Sequence, residues 1–181
     1  MGHSAKSGRK DYHGESRIAR LSYEVGIGFP ADGSEPFEET QEDEGSVSLS
    51  REQWEKLKDG VFTHNHPNGL PFSKEDLNAL ANWELAEIRA ITKSGTFSLR
   101  RTVRNENAYS FGEEYENSIR RFIERVTDPK YKEISSRYNS GKITHSSYGK
   151  EIDRLNGMVE KERIRWLKKY SKEYGYKFKI Y

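Results

Sequence analysis

Alternating apolar and polar residues mark the first regular element of the chain. Between Arg17 and Phe29 every second position is apolar; the set is Leu21, Tyr23, Val25, Ile27 and Phe29. Because successive side chains on a strand point to opposite faces, this alternation predicts a β-strand with one buried face. Glu24 lies on the other face with Gly26 and Gly28, where small residues leave room for a ligand or a second backbone.

Strand and helix patterns then follow one another up to residue 101. The acidic segment 34–45 predicts a solvated loop, because so many like charges do not pack together. The remaining patterns predict, in order, a strand at 46–49, a helix capped by Ser50 that continues to about Lys58, a strand from Val61 to His66, a helix that begins at Ser73, and two strands at 87–92 and 96–101. This order is typical of a layered α/β fold.

A helical period replaces the strand pattern after about residue 105. The first apolar stripe predicts a helix that ends near Asp128-Pro129; its members are Tyr115, Ile119, Phe122, Ile123 and Val126. A longer stripe from Ile152 to Tyr170 predicts a second helix, and the turn residues 139–141 separate the two. Residues 176–181 alternate aromatic and basic side chains, which predicts an edge strand added to the sheet.

These patterns divide the chain into three parts that differ in charge. We predict a flexible tail at 1–14, an α/β domain at 15–104 and a basic, mainly helical extension at 105–181. Residues 101–181 hold 19 Lys/Arg against 12 Asp/Glu, whereas residues 1–100 hold 12 against 17. A basic helical face can bind nucleic acid or an acidic partner, but mixed charges along a helix are also typical of a solvated surface, and both interpretations stay open.

Composition narrows the class of protein further. Apolar and charged residues each make up 33% of the chain, so the hydrophobic core is expected to be small. No apolar stretch approaches the roughly 20 residues of a membrane span, and no short apolar run follows the N-terminal basic residues. We therefore expect a soluble, cytoplasmic protein without a membrane partner. Because the chain has no cysteine, any metal ion must be held by His, Asp, Glu or water.

The stretch from residue 61 to 76 carries the candidate chemistry. On a strand His64 and His66 point the same way, and Pro67 with Gly69 ends that strand. Ser73-Lys74-Glu75-Asp76 has the form of a capping box, which places Asp76 in the first turn of a helix and near the preceding loop. Two histidines and a carboxylate suit zinc, which in catalytic sites leaves a fourth position to water. The alternative interpretation is an ordinary strand, turn and capped helix.

The motif His64-x-His66-Pro67 followed by Ser73-x-x-Asp76 resembles the JAB/MPN metalloenzymes, also called JAMM proteins, which include RadC-like and phage-encoded types. The six residues between His66 and Ser73 are one fewer than in the usual family pattern. The resemblance covers about residues 17–102. It implies a mixed sheet flanked by helices and a protein of a phage-infected or prophage-bearing bacterium.

The same resemblance implies a zinc-dependent hydrolase that cleaves a peptide or isopeptide bond in a protein or peptide substrate. Its metal ligands would be His64, His66 and Asp76, and the ion would be Zn²⁺. Glu24 would be the general base, with Glu15 as the competing candidate, and Ser73 would donate to the oxyanion unless it only caps its helix. Zinc would supply a water of lowered pKa.

Two other functions stay open beside this one. The chain could be a non-proteolytic binding module of a phage or mobile element, in which the basic helices contact DNA or a virion or host protein. It could also be a zinc-dependent hydrolase of a nucleotide or another small molecule. The sequence carries no signal for the oligomeric state.

Overall fold

A six-stranded mixed sheet forms the centre of the computed structural model, which describes residues 12, 14–40 and 47–181. In the order β2-β1-β3-β4-β5-β6, only β3 and β4 are parallel neighbours, and the other pairs are antiparallel. The strands are β1 (Val25–Phe29), β2 (Phe37–Thr40), β3 (Val61–Asn65), β4 (Glu87–Thr92), β5 (Gly95–Arg101) and β6 (Tyr176–Ile180). The predicted α/β class, the β4–β5 hairpin and the returning edge strand β6 are confirmed.

Six α-helices accompany the sheet in the described part of the chain. They are α1 (Glu15–Ile18), α2 (Arg51–Lys56), α3 (Lys74–Asn82), α4 (Phe111–Phe122), α5 (Asp128–Asn139) and α6 (His145–Tyr170). Capping boxes stabilise the first turns of α2 and α3. In each box the serine hydroxyl accepts from the backbone N–H of the third helical residue, and the side chain of that residue accepts from the serine N–H. In none of these helices is there a segment both long and apolar enough to cross a membrane.

Helices α3, α4 and α6 pack over one face of the sheet and enclose the main core. Its fully buried members come from both halves of the chain and include Phe72, Leu77, Leu80, Leu85, Ile88, Leu99, Phe111, Tyr115, Ile119 and Leu167. Trp166 on α6 stacks on Phe111 at the start of α4, with ring centroids 5.8 Å apart. The segment predicted as an extension therefore shares its core with the α/β part.

A charged network lies on the opposite face of the sheet. Arg89 on β4 is only 2% exposed and pairs with Glu15 of α1 and with Glu87 of its own strand. The Arg89 guanidinium carbon lies 5.1 Å from the ring centroid of Tyr12 and 5.5 Å from that of Tyr181. Beside this network, a smaller apolar cluster is formed by Ile18, Val25, Ile27 and Ile91.

Three predictions in the N-terminal half are wrong. The strand predicted for 17–29 begins only at Val25, because residues 15–18 form helix α1 and supply buried Ile18 to the smaller cluster. Residues 47–49 form no strand, and residue 46 lies outside the described part. The second strand is instead β2, inside the segment predicted as a loop. Because β2 is an edge strand that pairs with β1 alone, its charged side chains need not be fully buried: Glu38 is exposed and Glu39 is half-buried.

The helix predicted to stop near Asp128-Pro129 continues. A π-helical turn, Ile123–Thr127, joins α4 directly to α5. Pro129 lies in the first turn of α5, where a missing N–H is best tolerated, and the wider π turn precedes it. The turn predicted at 139–141 and the long second helix are confirmed. The predicted tail falls largely on residues 1–11 and 13, and the end of the predicted acidic loop on 41–46, all outside the described residues.

Candidate metal centre

Strand β3 and helix α3 bring three potential ligands together. His64 lies on β3, His66 follows its end, and Asp76 lies in the first turn of α3. The Nε2 atoms of His64 and His66 are 2.8 Å apart. Asp76 Oδ1 is 2.9 Å from His64 Nε2, and Asp76 Oδ2 is 3.4 Å from His66 Nε2. The predicted ligand set thus converges on one point, and both imidazoles are buried.

The capping box of α3 fixes the direction of the Asp76 carboxylate. The backbone N–H of Ser73 donates to Asp76 Oδ2 at 2.7 Å, and the backbone N–H of Asp76 donates to Ser73 Oγ at 3.1 Å. These two bonds turn the carboxylate back toward the loop that precedes the helix. The six residues between His66 and Ser73 are therefore sufficient to bring Asp76 to the histidines.

The loop carbonyl at Leu70 selects the tautomer of His66. His66 Nδ1 lies 2.9 Å from the Leu70 carbonyl oxygen, which can only accept a hydrogen bond. Nδ1 must therefore carry a proton in the neutral ring, and the lone pair on Nε2 points into the cluster. A histidine whose second nitrogen donates to a carbonyl is a typical metal ligand.

Electrostatics at the cluster favours a cation. Burial opposes ionisation of Asp76, but the two imidazoles and the Ser73 N–H outweigh it, so the pKa of this carboxyl lies below its usual range. Burial likewise opposes charge on His64, yet the carboxylates of Asp76 and Glu24 overcome it and raise the pKa of His64. Burial and the adjacent His64 ring lower the pKa of His66. The carboxylates that favour a proton on His64 equally favour a bound metal cation.

The donor set passes a simple geometric test for a metal ion. Two ligand atoms of a tetrahedral zinc ion, each at its usual bond length, lie about 3.3 Å apart. The three measured separations are 2.8, 2.9 and 3.4 Å. Small shifts of side chains therefore suffice to admit an ion, and the His64, His66 and Asp76 group can hold a metal.

Glu24 borders the same cleft. It immediately precedes β1, is half-buried, and lines a cavity of about 660 Å³ together with the three potential ligands. Gly26 pairs with His64 across β1 and β3, so continuing this register by two residues sets Glu24 beside His66. Burial raises the pKa of Glu24; the His64 imidazole lowers it and the Asp76 carboxylate raises it, and the net shift is upward.

Asn65 holds the backbone on both sides of Glu24. Its side-chain Nδ2 donates to the Tyr23 carbonyl at 2.8 Å, and its Oδ1 accepts from the Val25 N–H at 2.7 Å. Asn65 is almost fully buried at the end of β3. This clamp fixes Glu24 relative to the histidine strand, and sequence reasoning missed it because nothing in the sequence showed that residue 65 faces residues 23–25.

Glu15, the competing candidate for a base, lies elsewhere. Its carboxylate accepts from Arg89 Nε at 2.5 Å, from Arg89 Nη2 at 2.9 Å and from the Thr63 hydroxyl at 3.0 Å. Thr63 lies between Phe62 and His64 on β3, so its side chain points to the other face of the sheet. Glu15 therefore belongs to the charged network and does not line the metal cleft.

Ser73 serves as the N-cap of α3 and also lines the cleft. Its Oγ accepts from the Asp76 N–H, which uses a lone pair and leaves the hydroxyl proton free to donate. The capping role and a donor role toward a ligand are thus compatible in one side chain.

The cleft also contains residues that the sequence patterns did not indicate. Arg163 of α6 and Glu116 of α4 contribute to its wall, more than 40 residues beyond the histidine motif. Tyr115 stands behind the wall, where its hydroxyl donates to the Phe72 carbonyl at 2.8 Å. Arg163 is one of many basic residues in its helix, so only the packing of α6 distinguishes it.

Comparisons with protein-family models, with curated proteins and with solved structures find no significant match to this chain. The fold and the site together define an α/β protein in which His64, His66 and Asp76 line a cleft and could hold a metal ion.

Proposed function

We propose that this protein is a zinc-dependent hydrolase of the JAB/MPN type that cleaves a peptide or isopeptide bond. One observation carries the proposal: ligand atoms of His64, His66 and Asp76 lie within 4.8 Å of one another in a cleft that Glu24 also lines. A set of metal ligands beside a carboxyl of raised pKa is the arrangement that metal-assisted hydrolysis requires.

The sequence motif supports the same assignment because each part has the structural context that it needs. His64-x-His66-Pro67 ends a strand, and Ser73-x-x-Asp76 opens a helix through a capping box. The mixed sheet with flanking helices agrees with the fold that the resemblance implies. A chance match to the motif would not be expected to bring the three ligand groups to one point.

Each polar residue of the cleft has a role in this proposal. Bound zinc supplies Lewis acidity and lowers the pKa of water toward ~7. Glu24 accepts a proton from the attacking water and delivers it to the leaving amine, and its raised pKa brings it closer to neutral pH for both transfers. The free hydroxyl proton of Ser73 donates to the oxyanion that develops on the substrate.

Metal content tests the ligand set directly. We expect elemental analysis after exhaustive dialysis to find about one zinc ion per chain in the parent, and little in His66→Ala or Asp76→Ala. Glu75→Ala and His145→Ala are matched controls, since both residues lie outside the ligand set. If the parent binds no zinc even when zinc is added, the proposal fails.

Hydrolysis tests the base. With zinc retained, Glu24→Gln should lower kcat for a cleavable peptide or isopeptide by about 10²- to 10⁴-fold, the usual contribution of general acid–base catalysis. Unchanged turnover in this variant would remove Glu24 from the mechanism.

A second candidate function is nucleic-acid binding through α6. Lys161, Arg165 and Lys168 recur at helical spacing on its outer side and are exposed together with Lys169. A basic stripe of this kind contacts a phosphate backbone. If it does, affinity for duplex DNA should fall steeply with added salt, and Lys161→Glu/Lys168→Glu should abolish it without changing metal content. Absence of binding at low salt would exclude this function.

A further inference from the structure

Arg163 connects helix α6 to the loop of the candidate metal centre. Its Nη1 donates to the Tyr115 hydroxyl at 3.1 Å, and its guanidinium carbon lies 5.4 Å from the centroid of that ring. Tyr115 in turn donates to the carbonyl of Phe72, the residue that precedes the Ser73 cap. The guanidinium is thus held in a fixed position at the wall of the cleft.

The Arg163 guanidinium has no carboxylate partner among the described residues. The Nε atom is buried and makes no hydrogen bond there, and no acidic oxygen of these described residues lies within ion-pair distance of the group. Other partly or fully buried arginines are paired: Arg89 with Glu15, and Arg137 with Glu151 through two bonds. The guanidinium as a whole is half-buried and lines the cleft, so its unpaired charge is available to an anion that enters there.

An apolar groove begins where Arg163 stands. A second cavity of about 510 Å³ shares Asn68, Leu70 and Arg163 with the metal cleft, so the two spaces are adjacent. Apolar side chains of the π turn and of α6 form much of its wall, namely Ile123, Ile152, Leu155 and Val159, and polar residues including Asp128 and Asn156 also line it. The groove therefore places an apolar pocket next to an unpaired cation and next to the metal ligands.

A carboxylate fits this cation better than a phosphate does. A guanidinium fork matches the two oxygens of a carboxylate. The acidic side chains that line the cleft outnumber the basic ones, Lys74 and Arg163, and this excess of negative charge disfavours a doubly charged anion; the acids are Glu24, Glu75, Asp76 and Glu116. A single negative charge beside an apolar side chain is the chemistry of an apolar residue at the C-terminal end of a peptide.

We propose that the substrate is a peptide or N-acylated amino acid with a free C-terminal carboxylate and an apolar terminal side chain. Arg163 binds the carboxylate, the groove takes the side chain, and the amide bond before this residue lies toward His64, His66 and Asp76. This inference rests on the proposed hydrolase function and specifies its substrate class.

The reaction releases the terminal amino acid. The oxygen of water bonds to the carbonyl carbon, and the bond between that carbon and the amide nitrogen breaks. One proton of the water passes through Glu24 to the leaving nitrogen. The products are a shortened acyl chain with a new carboxyl group and a free apolar amino acid.

Two substrates that differ only at the C-terminus test the inference. With the zinc-loaded protein, benzoyl-glycyl-phenylalanine should be cleaved with a kcat/KM about 10- to 100-fold above that of its C-terminal amide, the range expected for a hydrogen-bonded charge pair. Arg163→Ala should remove the preference by slowing only the acid, and Arg163→Lys should keep part of it. Arg165→Ala, on the same helix but exposed and paired with Glu162, is the control and should keep all of it.

Binding without turnover separates this inference from the proposed function. In the metal-free protein, N-acetyl-phenylalanine should bind, and Arg163→Ala should raise its Kd about 10- to 100-fold while leaving the weak binding of the amide unchanged. Binding that depends on Arg163, with no hydrolysis of any peptide, would support the carboxylate site and overturn the hydrolase. Equal cleavage of acid and amide, or an Arg163→Ala variant that folds normally and keeps the preference, would overturn the carboxylate site and leave the hydrolase standing.

Discussion

The two candidates for the general base, Glu15 and Glu24, should show different defects when each is changed to glutamine. Glu15→Gln removes a carboxylate that accepts three hydrogen bonds on the back face of the sheet. Glu24→Gln removes one that faces the cleft and makes no side-chain ion pair in the described part of the chain. We expect the first change to affect stability and the second to affect chemistry.

The magnitude for Glu15→Gln follows from burial. The side chains of Glu15 and Arg89 are 7% and 2% exposed, so the substitution leaves a guanidinium buried beside a neutral amide. Breaking a buried ion pair usually costs about 3–5 kcal/mol. Because Glu87 still lies 3.1 Å from Arg89 Nη1, part of the charge remains compensated, and we expect a loss near the lower end, about 3 kcal/mol.

Urea unfolding measures this loss as a shift in the free energy of unfolding at constant m-value. The matched control is Glu38→Gln, which breaks the pair of Glu38 with Arg17; both side chains there are about half exposed, so the expected cost is below about 1 kcal/mol. If Glu15→Gln costs no more than the control, the buried network does not stabilise the fold as argued. If it abolishes turnover while stability is unchanged, the assignment of Glu24 as base is wrong.

Three further predictions concern the clamp, the metal and a buried tyrosine. Asn65→Ala should destabilise the fold by about 2 kcal/mol and lower kcat at unchanged zinc content, because Glu24 loses both backbone anchors; an unchanged kcat would argue against the clamp. Zinc at 100 times its Kd should stabilise the parent by about 2.7 kcal/mol in thermal unfolding but leave Asp76→Ala unaffected; equal stabilisation of both would place the ion elsewhere. Burial raises the pKa of Tyr176 to about 12. The unfolded chain therefore loses this proton first, and stability should fall as the pH rises from about 10 to 12, less so in Tyr176→Phe; identical slopes would refute this.

Features of the structure that depend on residues close together in sequence could be predicted from the sequence. Ser50 and Ser73 mark helix starts through capping boxes that involve residues only three positions away. Gly95 closes the β4–β5 hairpin with a positive φ of 147°. The His64, His66 and Asp76 group was predictable for the same reason, because one strand, one loop and one helical turn determine its geometry.

Tertiary context decided the features that could not be predicted. Phe37–Thr40 looks like a loop by charge and becomes a strand only because β1 offers a free edge. Pro129 is a helix breaker by itself, but a π turn before it allows the helix to continue. Arg163 and Asn65 owe their positions to contacts with distant residues, and their neighbours in sequence give no sign of them.

The separation in sequence between the metal ligands and the wall that faces them has a consequence for the order of folding. The three ligands lie within residues 64–76, so they are brought together by closing one short loop, which costs little chain entropy. Arg163 and strand β6 contact the α/β part only through residues that are distant in sequence. Phe178, for example, pairs with Leu99 about 80 residues away. We therefore expect the ligand loop to form early and the cleft to acquire its second wall late. The transition state for folding would then contain the His64, His66 and Asp76 group, which could hold a metal ion, before the Arg163 side of the cleft is in place.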